Sequence, residues 1–207
     1  MQIMRHSTAN GLVVLMMVLL VGAGCSSRPA RVLPPDVDPT AAAEIAIELY
    51  DVNNDGGLDA KELDKCPGLK SAASIYSAAN PVVTADAIRT RIEAWHDSKM
   101  GRARIRCSVR RKGIPLEGAT VEFVPEEFLG EEIQPASGTT DSDGMSMPTV
   151  SVVDAGELRG IAPGFYRVKI TKPGLDIPKE YNTETVLGQE VAMDASSMLG
   201  VRFDLNF

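Results

Sequence analysis

Residues 41–62 read AAAEIAIELYDVNNDGGLDAKE, and this stretch decides how the first half of the chain folds. The spacing of its opening residues predicts a helix, with Ile45, Leu49 and Ala42 on the apolar face and Thr40 as the N-cap. The remainder, DVNNDGGLDAKE, repeats oxygen-bearing side chains and places Gly56 at its sixth position. Glycine adopts a positive φ at little steric cost, so this position permits a sharp turn. The stretch therefore predicts a helix that runs into a tight acidic turn.

The acidic turn carries the ligand chemistry that calcium prefers, because Ca²⁺ binds about six to eight oxygens in a flexible cage. The turn resembles the EF-hand loop position by position, with glycine sixth, an apolar residue eighth and glutamate last. This resemblance implies Ca²⁺ as the cofactor. It also implies these ligands: Asp51, Asn53, Asp55, Gly57 (through its carbonyl), Asp59 and Glu62. A solvated acidic turn is the alternative, but such a turn does not require Gly56, Leu58 and Glu62 together.

EF-hands usually occur in pairs, and a degenerate second copy follows. Residues 69–75 and 86–95 have the apolar spacing of its two helices. Aligning Val83 with Leu58 leaves almost every ligand position of the second loop without an oxygen-bearing side chain, so we expect that loop to hold no metal. Val83 and Leu58 are still predicted to pair as short strands. The resemblance thus implies an EF-hand pair with one intact loop over residues 41–97.

The apolar periodicity changes to two from residue 101 onward, which is typical of half-buried strands. Short strands separated by turns predict an antiparallel sandwich. The segments GIPLEGATVEFVP, GTTDSDG and APGFYRVKI resemble those of the transthyretin-like or carboxypeptidase-regulatory-like sandwich. The predicted fold class is α+β, a small helical EF-hand pair followed by an antiparallel, Ig-like β-sandwich over residues 101–207. The predicted strands cover residues 102–110, 119–123, 145–153, 166–170 and 199–205.

The N-terminus has the layout of an export signal. An apolar run over residues 11–21 follows Arg5 and is too short to cross a bilayer, which needs about 20 residues. Gly-Ala-Gly-Cys then resembles the lipobox of bacterial lipoproteins, which implies that Cys25 is lipidated. We therefore predict a signal peptide over 1–24, then a lipidated cysteine and Pro-rich tether over 25–40. The alternative is an ordinary signal peptide cut before a free cysteine.

The net charge of the chain indicates which classes of partner it can bind. The chain has 207 residues and a formal charge of -7, from 21 Lys+Arg against 28 Asp+Glu, which argues against nucleic acid as a partner. One basic stretch runs against this trend. Its residues could bind a polyanion, form a solvated sheet face or dock on the acidic loop: Arg102, Arg104, Arg106, Arg110, Arg111 and Lys112. The DSDG segment at residues 141–144 resembles a calcium turn but lacks the closing glutamate, which favours a turn between strands.

Two cysteines and one histidine remain once the leader is excluded. Cys66 and Cys107 either form a disulfide, as exported proteins permit, or are two buried thiols. Any Ser–His–Asp or Cys–His catalytic group would require His96, whose position at a predicted helix end instead suits the helix dipole. We therefore expect no enzymatic activity.

Together these features predict a calcium-binding lipoprotein, exported and lipid-anchored to the bacterial cell envelope on its periplasmic or outer surface. In this hypothesis Ca²⁺ stabilises a structural or binding module. The expected partners are the membrane, through the lipid anchor, and an envelope protein or glycan. The alternative is a surface adhesion module, binding carbohydrate or protein, in which the calcium loop is incidental.

Overall fold

The computed structural model describes residues 32–76, 82–151 and 158–207. The predicted signal peptide, Cys25, residues 77–81 of the second loop and the end of the strand predicted at 145–153 lie outside these residues. The described part is α+β, with helices in the first half and mainly antiparallel sheets in the second, and no closed barrel. The helices are α1 (Pro39–Tyr50), α2 (Ala60–Leu63), α3 (Pro67–Tyr76) and α4 (Ala85–Ser98).

Helix α1 begins one residue earlier than the predicted cap. Asp38 is the N-cap, not Thr40, and its carboxylate accepts hydrogen bonds from the backbone N–H groups of Thr40 and Ala41 at 2.9 and 3.0 Å. Proline occupies the first helical position, where its missing N–H costs nothing. The predicted apolar face is confirmed only at Ala42, which is buried, since Ile45 and Leu49 are 42% and 43% exposed. The buried face carries mainly alanines, which allow α1 to pack closely against α4.

The strands form three sheets among the described residues. A two-stranded pair joins β1 (Gly57–Leu58) to β2 (Val83–Thr84). The bounds of the remaining strands are β3 (Cys107–Arg111), β4 (Ile114–Pro115), β5 (Thr120–Pro125), β6 (Ala136–Thr139), β7 (Met145–Ser146), β8 (Thr149–Val150), β9 (Gly164–Thr171), β10 (Gly188–Val191) and β11 (Val201–Leu205). A five-stranded antiparallel sheet has the order β10–β9–β5–β6–β8, and a second sheet has the order β11–β3–β4 with β7 also on β3.

The predicted period-two alternation is confirmed in the longer strands. Val121 and Phe123 of β5 and Val168 of β9 have no exposed surface, whereas residues between them are partly exposed. Phe123 also contacts Phe203 of β11, with ring centroids 6.4 Å apart, so the two larger sheets share apolar contacts. One pairing differs from the antiparallel prediction, because β11 runs parallel to β3. The last strand, β11, therefore lies beside β3, the first strand of the second half, and runs in the same direction as β3.

The helices pack directly on the five-stranded sheet. The Trp95 ring of α4 lies 4.6 Å from that of Phe165 in β9, centroid to centroid. Arg91 of α4 forms a buried ion pair with Glu190 of β10, at 2.5 Å. Accordingly, Arg31–Phe207 clusters as one compact unit with a continuous hydrophobic core.

The part of the predicted tether that the structure describes packs against the rest of this unit. Residues 32–38 form no helix or strand. Val37 is buried, the His96 ring lies 3.1 Å from the carbonyl oxygen of Pro35, and a Cβ on Gly101 would come within 2.1 Å of the Val32 carbonyl oxygen. Within the described ranges, no helix has the length and apolar character needed to cross a membrane.

Candidate metal centre

The loop that joins α1 to α2 makes the predicted sharp turn. Gly56 has a φ of 87°, which confirms the prediction for the sixth position, and Asn54 also has a positive φ, of 59°. Glycine reaches this region without a steric penalty, and asparagine reaches it more readily than most residues. The chain therefore reverses within a few residues and returns the end of the loop toward its start.

The first predicted ligand organises the turn. Asp51 accepts hydrogen bonds from the backbone N–H groups of Asp55, at 3.2 Å to Oδ1, and Gly56, at 2.9 Å to Oδ2. Asn53 Oδ1 accepts from the same Asp55 N–H at 2.8 Å, and Asp55 Oδ1 accepts from the N–H of Gly57 at 3.0 Å. Successive side chains thus turn inward and bond the backbone of the residues that follow them.

The last predicted ligand closes the loop. Glu62 is only 6% exposed. Its Oε1 accepts from the N–H groups of Val52 and Asn53 at 2.8 and 3.2 Å, and its Oε2 accepts from that of Asp59 at 2.8 Å. A buried carboxylate is costly unless hydrogen bonds satisfy it, and these three donors do so. Glu62 consequently bridges both ends of the loop.

Asp59, one of the predicted ligands, is also the N-cap of α2. Its Oδ1 accepts hydrogen bonds from the backbone N–H groups of Lys61 and Glu62 at 2.7 and 3.0 Å. Together with the bond from the Asp59 N–H to Glu62 this forms a capping box. The hydrogen bonds from Glu62 and Lys61 hold the pKa of Asp59 below its usual range, so the carboxylate stays charged.

A second short strand supports the loop from outside. Leu58 pairs with Val83, as predicted, and both side chains are fully buried. Gly57 also lies close to this strand, because a Cβ on it would come within 2.4 Å of Val82 Cγ1. Of the second loop, the structure describes its first residue, Tyr76, and residues 82–87. There Ala87 stands at the closing position, has no side-chain oxygen and donates its N–H to Thr84 Oγ1 at 3.3 Å.

The six predicted ligands fit calcium in number and chemistry, since all supply oxygen and four carry charge. The structure places them around one turn. It does not bring their carboxylates to a common point: in the described part of the chain, no three His, Cys, Asp or Glu side chains stand close enough together to hold a metal ion. Each carboxylate instead accepts backbone N–H groups. A carboxylate has about four acceptor sites, so these bonds leave acceptor capacity, and binding an ion requires side chains to turn within an existing backbone.

The two remaining cysteines, the histidine and the second acidic turn all lie among the described residues. Cys66 and Cys107 are buried free thiols, which is the second of the two predicted alternatives, and they form no disulfide. Burial raises the pKa of both, that of Cys107 to about 12. His96 lies in the last turn of α4. Asp141 heads the turn between β6 and β7, where its Oδ1 accepts from two backbone N–H groups, as expected for a strand-joining turn.

A buried acidic group at the start of α3 was not predicted. Glu126 follows β5 and has no exposed surface. Its Oε1 accepts the N–H of Gly68, at the start of α3, at 2.7 Å, and its Oε2 lies 3.1 Å from Arg167 Nε without hydrogen-bond geometry. Burial raises the pKa of Glu126 to about 7, opposed by the Gly68 N–H, Arg167 and the Cys66 thiol. Only its position at the end of an alternating strand could have drawn attention to it in the sequence.

Comparison with known proteins finds no similar family model, curated protein or solved structure. The case for the metal centre therefore depends on the residues of the loop itself.

Proposed function

We propose that this chain is a non-enzymatic, calcium-binding lipoprotein anchored to the bacterial cell envelope, in which Ca²⁺ stabilises a structural or binding module. The observation that carries the proposal is the closed loop over residues 51–62. Asp51 and Glu62, at its two ends, both fold over its backbone and bond the N–H groups within it. Such a loop holds oxygen ligands of the kind that a hard divalent cation prefers.

The proposal includes the finer fold. Helices α1 to α4 would form an EF-hand pair with one intact loop, which the Leu58–Val83 pairing supports. The two larger sheets would form a transthyretin-like sandwich, which the contact between Phe123 and Phe203 across them supports. The parallel β3–β11 pair is a departure from the purely antiparallel arrangement that we predicted.

The proposed anchor is a lipid on Cys25. It is supported by the apolar run and small residues before the cysteine and by the prolines after it. Metabolic labelling with an alkyne-bearing fatty acid tests it directly: the wild-type chain should incorporate the label in a bacterial host, and Cys25→Ser should not. Equal labelling of both chains would contradict the anchor.

The non-enzymatic part of the proposal is supported by the state of the reactive groups. The thiolate is the reactive form of cysteine, and burial raises the pKa of both Cys66 and Cys107. The His96 ring contacts the Pro35 carbonyl oxygen at 3.1 Å. The two thiols are therefore packed in the core, and the histidine ring contacts the backbone.

Calorimetric titration of the full chain with Ca²⁺, in a non-ionic detergent, tests the central claim. Extracellular calcium modules bind at roughly 10⁻⁴–10⁻³ M, and with one intact loop we expect one ion per chain at roughly micromolar to millimolar affinity. Glu62→Gln removes a charged ligand and keeps one of the two oxygens that accept loop N–H groups. We expect it to weaken binding by at least about tenfold, since one pair of charged contacts is worth about 1.4 kcal/mol or more.

A matched control is Asp143→Asn, which removes one carboxylate from the other acidic turn of similar sequence. It should leave the affinity unchanged within about twofold, because that turn lacks the closing glutamate. If Glu62→Gln binds calcium with the wild-type affinity, or if the wild-type chain takes up no calcium at millimolar concentration, the proposed function is wrong.

A further inference from the structure

Three adjoining depressions form a shallow groove beside β7 and β8. The first has a volume of 210 Å³ and is lined by Arg104, Met147, Pro148, Thr149, Arg159 and Gly160. It shares Met147 with a second depression, which Arg106 and Ser146 also line, and it shares Thr149 and Arg159 with a third. We call this surface, with its arginines 104, 106 and 159, the arginine groove.

The fold brings two of these arginines together from distant parts of the chain. Ala103 and Ile161 form an isolated antiparallel bridge, with N–H to carbonyl distances of 2.7 and 2.9 Å. Arg104 and Arg159 flank this bridge and line the same depression. The approach requires glycine at position 160, since a Cβ there would lie 2.3 Å from the Ala103 carbonyl oxygen. The Gly160 N–H also donates to Thr149 Oγ1 at 3.0 Å, which fixes this wall of the groove.

The charge of the groove differs from that of the chain. Arg104, Arg106 and Arg159 are exposed, and none forms a salt bridge with an acidic side chain among the described residues. Among the described residues, the acidic side chain that lines the groove is Asp141, at the Arg106 end, and its Oδ1 accepts from two backbone N–H groups. In a chain of formal charge -7, three unpaired arginines in one groove create a local positive potential that attracts anions.

A buried hydroxyl points to the same chemistry. Ser146 is 5% exposed and lines the second depression beside Arg106. Its Oγ has no hydrogen-bond partner within the described ranges. Buried hydroxyls are normally satisfied, and an unsatisfied one calls for a further partner. The Oγ atom is itself buried against Gly138, so the Ser146 side chain must rotate toward the groove before its O–H can donate to an oxyanion at this end.

We propose that the arginine groove binds a small organic oxyanion, a carboxylate or phosphate carried on a carbon skeleton. Arg104 and Arg159 pair with the oxyanion through charge-assisted hydrogen bonds, which guanidinium groups make in a bidentate manner. Met147 and Pro148 cover the skeleton, and Arg106 with Ser146 receives a second polar group. The site lies on the sheets and does not depend on the proposed calcium function.

The test is calorimetric titration of the full chain, in non-ionic detergent and EDTA, with glycerol 3-phosphate, glucuronate, inorganic phosphate and glucose. Glycerol 3-phosphate or glucuronate should bind, inorganic phosphate should bind more weakly because it has no skeleton, and glucose should not bind. The stronger of the first two identifies the oxyanion. The double variant Arg104→Gln/Arg159→Gln should weaken that binding at least tenfold. The double variant Arg104→Lys/Arg159→Lys should have an affinity between that of the glutamine variant and that of the wild type.

The matched control is Lys65→Gln/Lys112→Gln, which removes the same charge from exposed positions outside the groove. It should alter the affinity less than about twofold, because screened charges at a distance contribute little. Equal losses in the arginine and lysine variants would show unspecific attraction and overturn the proposal. So would the failure of both organic anions to bind the wild-type chain at millimolar concentration. A melting temperature measured for every variant confirms that each is folded.

Discussion

Glu126→Gln should change how the stability of this protein depends on pH. The carboxyl group is fully buried, and burial raises its pKa from 4.5 to about 7. A group whose pKa is higher in the folded state stabilises the fold below its unfolded pKa, and this contribution is lost as pH rises through the folded value. At about 1.36 kcal/mol per pKa unit, the interval from 4.5 to about 7 corresponds to about 3 kcal/mol.

The measurement is urea unfolding of the full chain in non-ionic detergent between pH 4.5 and 8, followed by the fluorescence of Trp95, the chain's one tryptophan. Glutamine still accepts the Gly68 N–H but cannot ionise. We therefore expect the free energy of unfolding of the wild type, relative to Glu126→Gln, to fall by about 3 kcal/mol across this range. Most of the fall should occur between pH 4.5 and 7.

Glu127→Gln is the control, since this neighbouring carboxylate is exposed. Its pH profile should follow that of the wild type. The reasoning is refuted if Glu126→Gln and the wild type lose stability in parallel over the whole range, because burial would then not hold the proton on Glu126.

Three other variants test the packing and the loop. Gly188→Ala should lower the melting temperature by about 5–10 °C, since its Cβ would lie 1.8 Å from the Pro67 carbonyl oxygen; an unchanged melting temperature would contradict this contact. Arg91→Met should cost about 3–5 kcal/mol in urea unfolding by leaving Glu190 buried without its cation, and adding Glu190→Gln should recover part of the loss; no recovery would argue against the ion pair. Asp59→Ala, measured in EDTA, should cost about 1 kcal/mol through the lost cap, whereas Asp59→Asn should cost less.

The features that could be predicted from the sequence are those with local causes. The turn at Gly56 follows from a backbone conformation that glycine favours. The pairing of Leu58 with Val83 is the one that the EF-hand resemblance implies. The buried residues of β5 and the stretch from Tyr166 to Ile170 in β9 follow from alternation, which places every second side chain on one face; Phe165, buried beside Tyr166, does not follow from it.

The features that could not be predicted depend on which elements meet. Ile45 and Leu49 have the spacing of a buried face, but α1 packs through its alanines, so the contact with α4 decided the buried side. The direction of β11 depends on how the chain returns across the sheet. Glu126 accepts its hydrogen bond from a residue 58 positions away, which no local pattern encodes. The same holds for the arginine groove, whose walls come from separate segments.

Both ends of the proposed calcium loop are attached to a common framework. Tyr50, just before the loop, packs edge-on against Phe128 with ring centroids 6.5 Å apart, and Pro67, a few residues after Glu62, lies against Gly188 of β10. A loop held in this way loses little backbone entropy when it binds a ligand, so pre-organisation favours affinity. A bound ion would likewise have little freedom to move α1 relative to α3. Calcium would therefore stiffen an arrangement that already exists, and the protein would respond to it with greater stability, without a change of shape.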